Sequence, residues 1–299
     1  MQRLLLHRQL HGGTAAPHQI RVCAEKSAEQ QPRKERELCV QPLRGSGIRA
    51  LNFGRQLKVC ALNNYGAQKY KLQDLLLFHS STEDKQVSFK EYVGRMKADQ
   101  KYIYYACGDS VEKIARLPQT ELLKEKGYEI LYMPDNVDEF VVKTLTSYED
   151  KEFRSAGAKD LGLESEAEKE DIKNKSEENK EMFDFIRDAL NGAVKEVRLS
   201  SRMKNNAVCL TADGEVSLEM EKVFKSMKNA SPVPVSAEKV LELNPDHKLF
   251  GKLKQLFETD KDKLKSYAKL LYAEALITEG MEIEKPDEFV SVLTDVLSE

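Results

Sequence analysis

Short runs of aromatic and β-branched residues alternate with helical patterns between residues 101 and 145. The runs KYIYYA (101–106) and YEILYM (128–133) are typical of buried strands, and NVDEFVVKTL (136–145) has the apolar spacing of a helix. The segments that join them are short. A strand, helix, strand, helix order with short connections predicts a parallel sheet covered by helices. We therefore expect residues 53–150 to form a small α/β module.

Cys107 follows the first of these strands and precedes Gly108, Asp109 and Ser110. A thiol on a tight turn between a strand and a helix is a candidate nucleophile, but it needs a base within hydrogen-bond reach. His79 lies in no recognised catalytic signature. Gly108 and a capping Asp109 or Ser110 explain the turn as a purely structural feature. A small-ligand α/β enzyme that uses Cys107 or His79 is the alternative function.

The residues that precede this alternation predict three further elements of the same module. RQLKVCAL (55–62) is typical of a strand, and KYKLQDLLLFHS (69–80) is typical of a helix. The apolar face of that helix would contain Leu72, Leu75, Leu76 and Phe78 together with His79. VSFKEYVGRMKADQ would form a further helix that begins after Ser88 as its N-cap.

The first 52 residues differ from the rest of the chain in charge and in pattern. Residues 1–52 have a net charge of +5, whereas the remainder has a net charge of −8. Their glycines, prolines and glutamines follow no period of 2 or 3.6 residues. The opening MQRLLLHRQLHGG is basic, free of acidic residues and superficially similar to a transit peptide. We interpret residues 1–52 as an irregular segment.

The second half of the chain predicts a charged connection followed by an α+β module. Residues 147–180 are poor in apolar residues and rich in charge, so we assign 151–180 to an exposed connection. Residues 181–299 are assigned to a second domain with helices at its end. Its patterns are a helix, two strands, a helix and two C-terminal helices, beginning with EMFDFIRDALNGAV, KEVRLS, NNAVCLTA and EVSLEMEKVFKSM.

One helix of this second domain has an apolar face that carries two methionines. The side chains that share the face are Val216, Met220, Val223, Phe224 and Met227. Packing in a core explains such a face. A surface that adapts to varied apolar partners explains it as well, because methionine side chains are flexible. Both interpretations stay open at this point.

The two helices at the C-terminus carry more apolar surface than one domain needs. YAKLLYAEALI (267–277) is apolar on more than one face, and the last helix, from Pro286 to Glu299, carries Phe289, Val290, Leu293, Val296 and Leu297. A helix of that length is marginal in water on its own. We therefore predict an isologous homodimer formed through a helical bundle. Packing of both helices on their own domain is the alternative.

Composition and motifs narrow the function classes. Charged residues make up 32% of the chain, the net charge is −3, and no run approaches the roughly 18 apolar residues of a membrane span. We expect neither a nucleic-acid nor a membrane partner. The sequence contains no GxGxxG, GxxxxGK[ST] or HExxH motif. Its five cysteines form no CxxC pair, which argues against a zinc site and favours a reducing, cytoplasmic location.

Several stretches together resemble the heat shock protein 90 family of molecular chaperones, in its bacterial HtpG form. They are YKLQDLLLFHSS, VSFKEYVGRMKADQKYIYYACGDS, LLKEKGYEILYMPDNVDEF, VKEVRLSSRM, LELNPDH and LLYAEALITEG. They follow the order of the family over some 247 residues, from about residue 53 to residue 299. The resemblance implies the end of the family's middle segment followed by its C-terminal dimerisation domain. It also implies a stress-response protein that assists folding by binding unfolded or partly folded client proteins.

The resemblance further implies which residues carry these functions. The positions that match client-contacting residues of the family are Phe140, Lys143, Val216, Met220, Val223 and Phe224. The positions that match its dimerisation helices are Leu270, Leu271, Ala275, Phe289, Leu293, Val296 and Leu297. No catalytic residue and no metal ligand is implied for this chain.

The resemblance also bears on nucleotide use and on the N-terminal segment. Full-length family members use ATP with Mg²⁺, but nothing in this sequence resembles their ATP-binding domain or the arginine loop that reaches the γ-phosphate. We therefore expect this chain to hold no cofactor and to hydrolyse no ATP. The family has a long charged helix where this chain has RGSGIRALN. Our hypothesis is that residues 1–52 come from a shifted reading frame or a spurious upstream start.

Overall fold

The computed structural model describes residues 54–83, 85–227 and 235–298. The prediction that residues 1–52 are irregular lies outside these ranges. Within them the chain is a mixed α/β protein of twelve α-helices and nine strands in two sheets, which agrees with the predicted fold class at that level. None of the helices in the described part of the chain is both long enough and apolar enough to cross a lipid bilayer.

The first sheet and its helices occupy the chain up to residue 155. In order, the elements are α1 (Gly54–Gly66), α2 (Lys69–Leu72), β1 (Leu77–Ser80), β2 (Gln86–Ser88), α3 (Phe89–Arg95), β3 (Tyr102–Cys107), α4 (Val111–Ile114), α5 (Glu121–Glu125), β4 (Leu131–Met133), α6 (Asp138–Leu145), β5 (Ser147–Tyr148) and β6 (Lys151–Ser155). Single 3₁₀ turns at Gln73–Leu75 and Pro118–Thr120 complete this part.

The second sheet and its helices follow. Their order is α7 (Glu166–Glu178), α8 (Lys180–Ala189), β7 (Glu196–Leu199), β8 (Val208–Asp213), α9 (Leu218–Ser226), β9 (Glu238–Leu243), α10 (Lys248–Thr259), α11 (Lys261–Thr278) and α12 (Pro286–Leu297). The sequence predicted most of these elements but not strand β9, which lies at the centre of this sheet.

The first sheet has the strand order β2-β1-β4-β3-β6-β5. Strands β4, β3 and β6 are parallel, with Tyr105 opposite Leu131 and Tyr102 opposite Glu152. Strands β1, β2 and β5 pair antiparallel at the two sides. The predicted parallel sheet is therefore confirmed for its central strands, and the antiparallel edges come from segments that the alternation at 101–145 does not include.

Two predictions upstream of this alternation are wrong. Residues 55–62 lie in helix α1 rather than in a strand. Almost the whole run from Leu57 to Leu62 is buried, and a helix that is covered on all sides gives the same continuous apolar run as a buried strand. Residues 77–80 form strand β1 rather than the end of a helix, and burial alternates along them.

The segment predicted as an exposed charged connection divides into two parts. Residues Lys151–Ser155 form β6, which is paired with β3 in the first sheet. Helix α7 is charged along its length, and none of its residues Glu166–Glu178, all of them described, is buried. A capping box between Ser165 and Glu168 begins it. The exposed connection is therefore shorter than predicted. Strand β6 is held in the sheet by backbone hydrogen bonds, and its sequence has no apolar run from which a strand could be predicted.

The second sheet has the order β7-β9-β8, and the central strand β9 carries a buried charge. Glu242 has no exposed surface and lies 2.6 Å from Arg198 and 2.9 Å from Arg202. Burial alone would raise the pKa of this carboxyl, but the two guanidinium groups outweigh it and hold the pKa below its usual range. A charge at a core position breaks the apolar pattern of a strand, which is why the sequence did not predict β9.

Polar contacts join the two sheets. The guanidinium group of Arg202 donates to the carbonyl oxygens of Ala156 and Ala158, each at 2.9 Å. The Gln119 amide donates to the Leu210 carbonyl oxygen at 2.7 Å and also to the Glu279 carboxylate. Side chains from the first part of the chain are therefore hydrogen-bonded to the second part, which fixes how helices from the two parts meet.

Candidate functional site

Helix α6 begins directly after the central strand β4. The Asp135 backbone N–H donates to the Asp138 carboxylate at 3.1 Å, and Lys58 of α1 lies 2.7 Å from the same carboxylate. Burial raises the pKa of Asp138 to about 6, although Lys58 opposes the shift. This buried pair fixes the start of α6 against α1 and so sets the position of Phe140 one half-turn later.

Helix α9 begins at the N-cap Ser217, whose side chain accepts a hydrogen bond from the Met220 backbone N–H at 3.1 Å. The amphipathic helix that the sequence predicted is therefore present. Its apolar residues Leu218, Met220, Val223 and Phe224 are buried in the folded chain. The methionine-bearing face thus belongs to the core, as one of the two open interpretations held.

Three contacts join α6 to α9 and to the turn that precedes it. The rings of Phe140 and Phe224 meet edge to face, with their centroids 5.8 Å apart. The Ser217 hydroxyl donates to the Glu139 carboxylate at 2.5 Å, and the Lys143 ammonium donates to the Glu215 carbonyl oxygen. Burial raises the pKa of Glu139, and both Lys143 and Ser217 oppose that rise. Charged, polar and aromatic groups therefore hold α6 and α9 together.

The predicted client-contacting residues lie at this contact. The structure places them as follows: Phe140, Val216, Met220, Val223 and Phe224 are buried, with at most 8% of each residue exposed, and Lys143 is half-buried. The two stretches, 76 positions apart from Phe140 to Val216 in the sequence, come together in space. Their contact with clients stays a prediction, since packing within the chain accounts for their burial.

The turn at Cys107 has a structural explanation. Burial raises the pKa of the Cys107 thiol well above its usual range, and the nearby Glu139 raises it further, so the reactive thiolate is disfavoured. A Cβ atom at Gly108 would lie 3.0 Å from the Ile114 side chain, which explains the glycine. Ser110 caps α4. These observations give no support to the enzyme alternative at Cys107.

The two histidines outside the N-terminal segment also have structural partners. His79 lies on β1 with its ring 3.1 Å from the Gln86 amide, and burial lowers its pKa. His247 caps α10 by accepting from the Leu249 backbone N–H. In the described ranges there is no group of three or more His, Cys, Asp or Glu side chains placed to hold a metal ion.

The predicted dimerisation residues are divided between buried and accessible positions. Leu271 and Ala275 of α11 are buried within the chain. The others retain accessible surface: Leu270, Phe289, Leu293 and Val296 are partly exposed, and Leu297 is 76% exposed. None of the described residues Pro286–Leu297 of α12 is buried, although the helix is amphipathic.

Two exposed side chains at this end of the chain are absent from the predicted dimerisation set. Ile277 of α11 is 56% exposed and Val290 of α12 is 57% exposed. Val290 and Leu297 lie seven residues apart and share one face of α12. Lys269 of α11 and Glu288 of α12 form an ion pair of 2.6 Å that bridges the two helices. A cleft of about 900 Å³ is lined by residues of α11, α12 and the loop between them.

Comparisons with known proteins identify the family of this chain. The family model described as Hsp90 protein matches residues 51–299. The chaperone protein HtpG of Clostridium acetobutylicum is 54% identical over 246 residues, which are 82% of this chain and 39% of that protein. HtpG of Bacillus subtilis is 48% identical over 246 residues, with the same two shares. The chain therefore spans about two-fifths of the length of these relatives. By the match over residues 51–299, the chain belongs to the Hsp90 protein family.

Proposed function

We propose that this chain is the client-binding and dimerising part of an Hsp90-type chaperone that works in the cytoplasm. Membership of the family and the name of its relatives, chaperone protein HtpG, support the proposal. In this proposal the end of the middle segment is residues 53–150 together with strand β6, Lys151–Ser155, which pairs with its sheet. The remainder of the predicted connection at 151–180 joins it to the C-terminal dimerisation and client-binding domain at 181–299.

The observation that carries the proposal is the uncovered apolar face of α12. A helix of 12 residues with no buried side chain among them is marginal in water by itself. Its exposed Val290 and Leu297, together with Ile277 of the adjacent helix, form an apolar surface at one end of the chain. The same surface on a second copy would cover it through a two-fold axis. The predicted residues Leu270, Phe289, Leu293 and Val296 would lie in or beside that interface.

The dimer is tested by inserting two lysines into the apolar face of α12. The chain should elute with a mass near twice 34.1 kDa in light scattering coupled to size exclusion, and the mass should survive dilution. The Val290→Lys, Leu297→Lys variant should weaken the dimer about a hundredfold or more, because an ammonium group in the interface loses its water.

The matched control moves both lysines by one position, to Ser291→Lys, Ser298→Lys. Both serines are exposed, and Ser291 lies between Asp287 and Asp295 on the polar side of α12. This control should keep the mass of the parent. A parent that is a folded monomer at all concentrations would contradict the proposed dimer, and so would equal effects of the two double variants.

Client binding is proposed at α6 and α9, around the six predicted residues. It is tested with a photo-reactive amino acid in place of Lys143, which is half-buried at the edge of this contact. Reduced, carboxymethylated α-lactalbumin, a chain that cannot refold, serves as the client. We expect cross-links from position 143 and few from the same group placed at Lys169 on the exposed helix α7. Equal cross-linking from the two positions would contradict the assignment.

A further inference from the structure

The two predicted client-contacting faces cover each other in the folded chain. Phe140 belongs to the first part of the chain and Phe224 to the second, yet their rings are in edge-to-face contact at 5.8 Å. Each residue is at most 8% exposed. A client side chain that was to meet either ring in this arrangement would have to displace the other ring.

Polar contacts hold this arrangement at its edge. Ser217 has two bonds: its hydroxyl accepts from the Met220 backbone N–H and donates to the Glu139 carboxylate. Lys143 donates to the Glu215 carbonyl oxygen, so the same turn is held from two sides. We call the Glu139–Ser217 and Lys143–Glu215 contacts the latch.

A second pair of contacts holds α9 farther along its length. The Lys222 ammonium lies 3.4 Å from the Asp109 carboxylate, which is at the turn after β3, and donates to the Glu279 carbonyl oxygen at 3.0 Å. Burial alone would lower the pKa of Lys222, but Glu219 and Asp109 outweigh it and raise the pKa. Lys222 therefore stays charged and ties α9 to the first sheet.

The latch contains a group that is costly to bury. Glu139 is 4% exposed, and a buried carboxylate is stable only while its hydrogen-bond partners remain in place. Separation of α6 from α9 would return this carboxylate to water, which offsets part of the free energy lost with the ring contact. An interface of this kind opens more readily than one closed by apolar side chains alone.

We propose that α6 and α9 mask each other's client-contacting faces, and that client binding requires these two helices to separate at the latch. This inference rests on the proposed client-binding function and adds its regulation. The apparent dissociation constant for a client then equals the intrinsic one divided by the fraction of open molecules. A variant that opens the latch should therefore bind clients more tightly than the parent.

Ser217 allows the latch to be opened without loss of the helix cap. Aspartate and asparagine are both good N-caps and are similar in size, so either replacement keeps the start of α9. Ser217→Asp places a second carboxylate against Glu139, whereas Ser217→Asn keeps a donor there. Amide hydrogen exchange over residues 216–226 reports opening, and anisotropy of fluorescein-labelled, reduced and carboxymethylated α-lactalbumin reports client binding.

The expected result is faster exchange in Ser217→Asp and about tenfold tighter binding of the labelled client, with Ser217→Asn close to the parent. Faster exchange without tighter binding would overturn the masking proposal while leaving the client-binding function intact, provided that the parent binds. Unchanged exchange in Ser217→Asp would also overturn it, because the latch would not be what holds the helices. A failure of parent and variants alike to bind the client would overturn the proposed function and the inference together.

Lys222→Met provides a second variant in case Ser217→Asp does not fold. It removes the contacts of Lys222 with Asp109 and Glu279 and its 2.5 Å ion pair with Glu219 of the same helix, but it keeps the aliphatic chain. The side chains of Lys222 and Glu219 are 18% and 17% exposed, so the Glu219 carboxylate that loses its partner keeps part of its surface in water. We expect the same direction of change as for Ser217→Asp and a smaller one, about threefold in client affinity. Weaker binding in this variant, together with faster exchange, would contradict the inference.

Discussion

The contact between α6 and α9 and the contact between α11 and α12 begin from similar sequence patterns and end differently. Helices α9 and α12 are both amphipathic and of similar length. Five residues of α9 are buried, whereas none of the described residues of α12 is. An amphipathic pattern therefore shows that a face needs a cover, and it does not show where the cover comes from.

The position of each helix in the fold accounts for the difference. Helix α9 meets the first part of the chain at two points, where Phe224 packs on Phe140 of α6 and where Lys222 reaches Asp109 at the turn after β3. Helix α12 lies at the end of the second part and is bridged to α11 by the Lys269–Glu288 ion pair. A second copy of the chain is the proposed cover for α12, as α6 is the cover for α9.

The largest effect is expected when one apolar side chain is truncated in each of the two regions, Phe224 in α9 and Ile277 in α11. In the Val290→Lys, Leu297→Lys background, where the dimer should be absent, Phe224→Ala should lower the free energy of unfolding by about 3 kcal/mol, because it leaves a cavity. Ile277→Ala should change it by less than about 0.5 kcal/mol, since Ile277 is 56% exposed. Urea unfolding followed by circular dichroism measures both. Equal losses would mean that the two regions are equally well packed.

An intermediate effect is expected at Glu279, which follows α11 and accepts from Gln119 of the first part. Burial raises the pKa of Glu279 to about 7, although Gln119 and Lys222 oppose the rise. For an acid whose pKa is higher in the folded state, stability is retained below the ordinary value near 4.5 and is lost as the pH rises toward 7. Glu279→Gln should therefore stabilise the fold by about 1 to 3 kcal/mol at pH 8 and by much less at pH 4.

The control for this pH dependence is Glu282→Gln, at an exposed position three residues farther along. It should change the free energy of unfolding by less than about 0.5 kcal/mol at either pH. A Glu279→Gln variant that is less stable than the parent at pH 8 would show that the charged carboxylate stabilises the contact between the two parts. Glu279 would then resemble Glu242, whose buried charge is stabilised by its partners, rather than a carboxylate that burial destabilises.

The smallest effect is expected at the ion pair that links α11 to α12. The side chains of Lys269 and Glu288 are 41% and 42% exposed, so water and salt screen their attraction. In the Val290→Lys, Leu297→Lys background, Lys269→Met should lower the free energy of unfolding by at most about 0.5 kcal/mol, and the difference should disappear in 1 M salt. A loss greater than about 1.5 kcal/mol would mean that the pair, rather than a partner chain, holds α12 in place. Lys285→Met, at a more exposed lysine 3.6 Å from Glu288, is the control.

How far the sequence predicted the fold depended on the kind of pattern. Strand β3 and the Ser88 cap of α3 carried strong local signals, and both are present. Helix α1 was predicted as a strand, because a segment whose residues are buried on all sides of a helix lacks the 3.6-residue alternation of apolar and polar positions. Strand β9 was not predicted, since Glu242 interrupts its apolar run and is stabilised by distant partners: Arg198 of β7, Arg202 of the following loop and Thr211 of β8.

For the candidate site, the resemblance gave the positions but not their accessibility. Nothing in the local pattern of residues 136–145 or 214–227 shows that Phe140 and Phe224 are in contact. The latch was not foreseen either, because Glu139 and Ser217 are ordinary helix-start residues when each is considered alone. Exposure of Ile277 was missed for the same reason: residues 267–277 of its helix are apolar on more than one face, and only the packed structure shows which face stays uncovered.

The sequence by itself determined the family, the central α/β alternation, the helix caps and the existence of apolar faces on α9 and α12. The family follows from the resemblance over residues 53–299, whereas the alternation, the caps and the apolar faces follow from residue type and short-range spacing, which act within a few turns of the chain. The tertiary structure alone decided which of the two faces is covered, which carboxylates are buried and how α6 meets α9. Those outcomes depend on the packing of segments far apart in the sequence, whose contact energies are set by their relative positions in the fold.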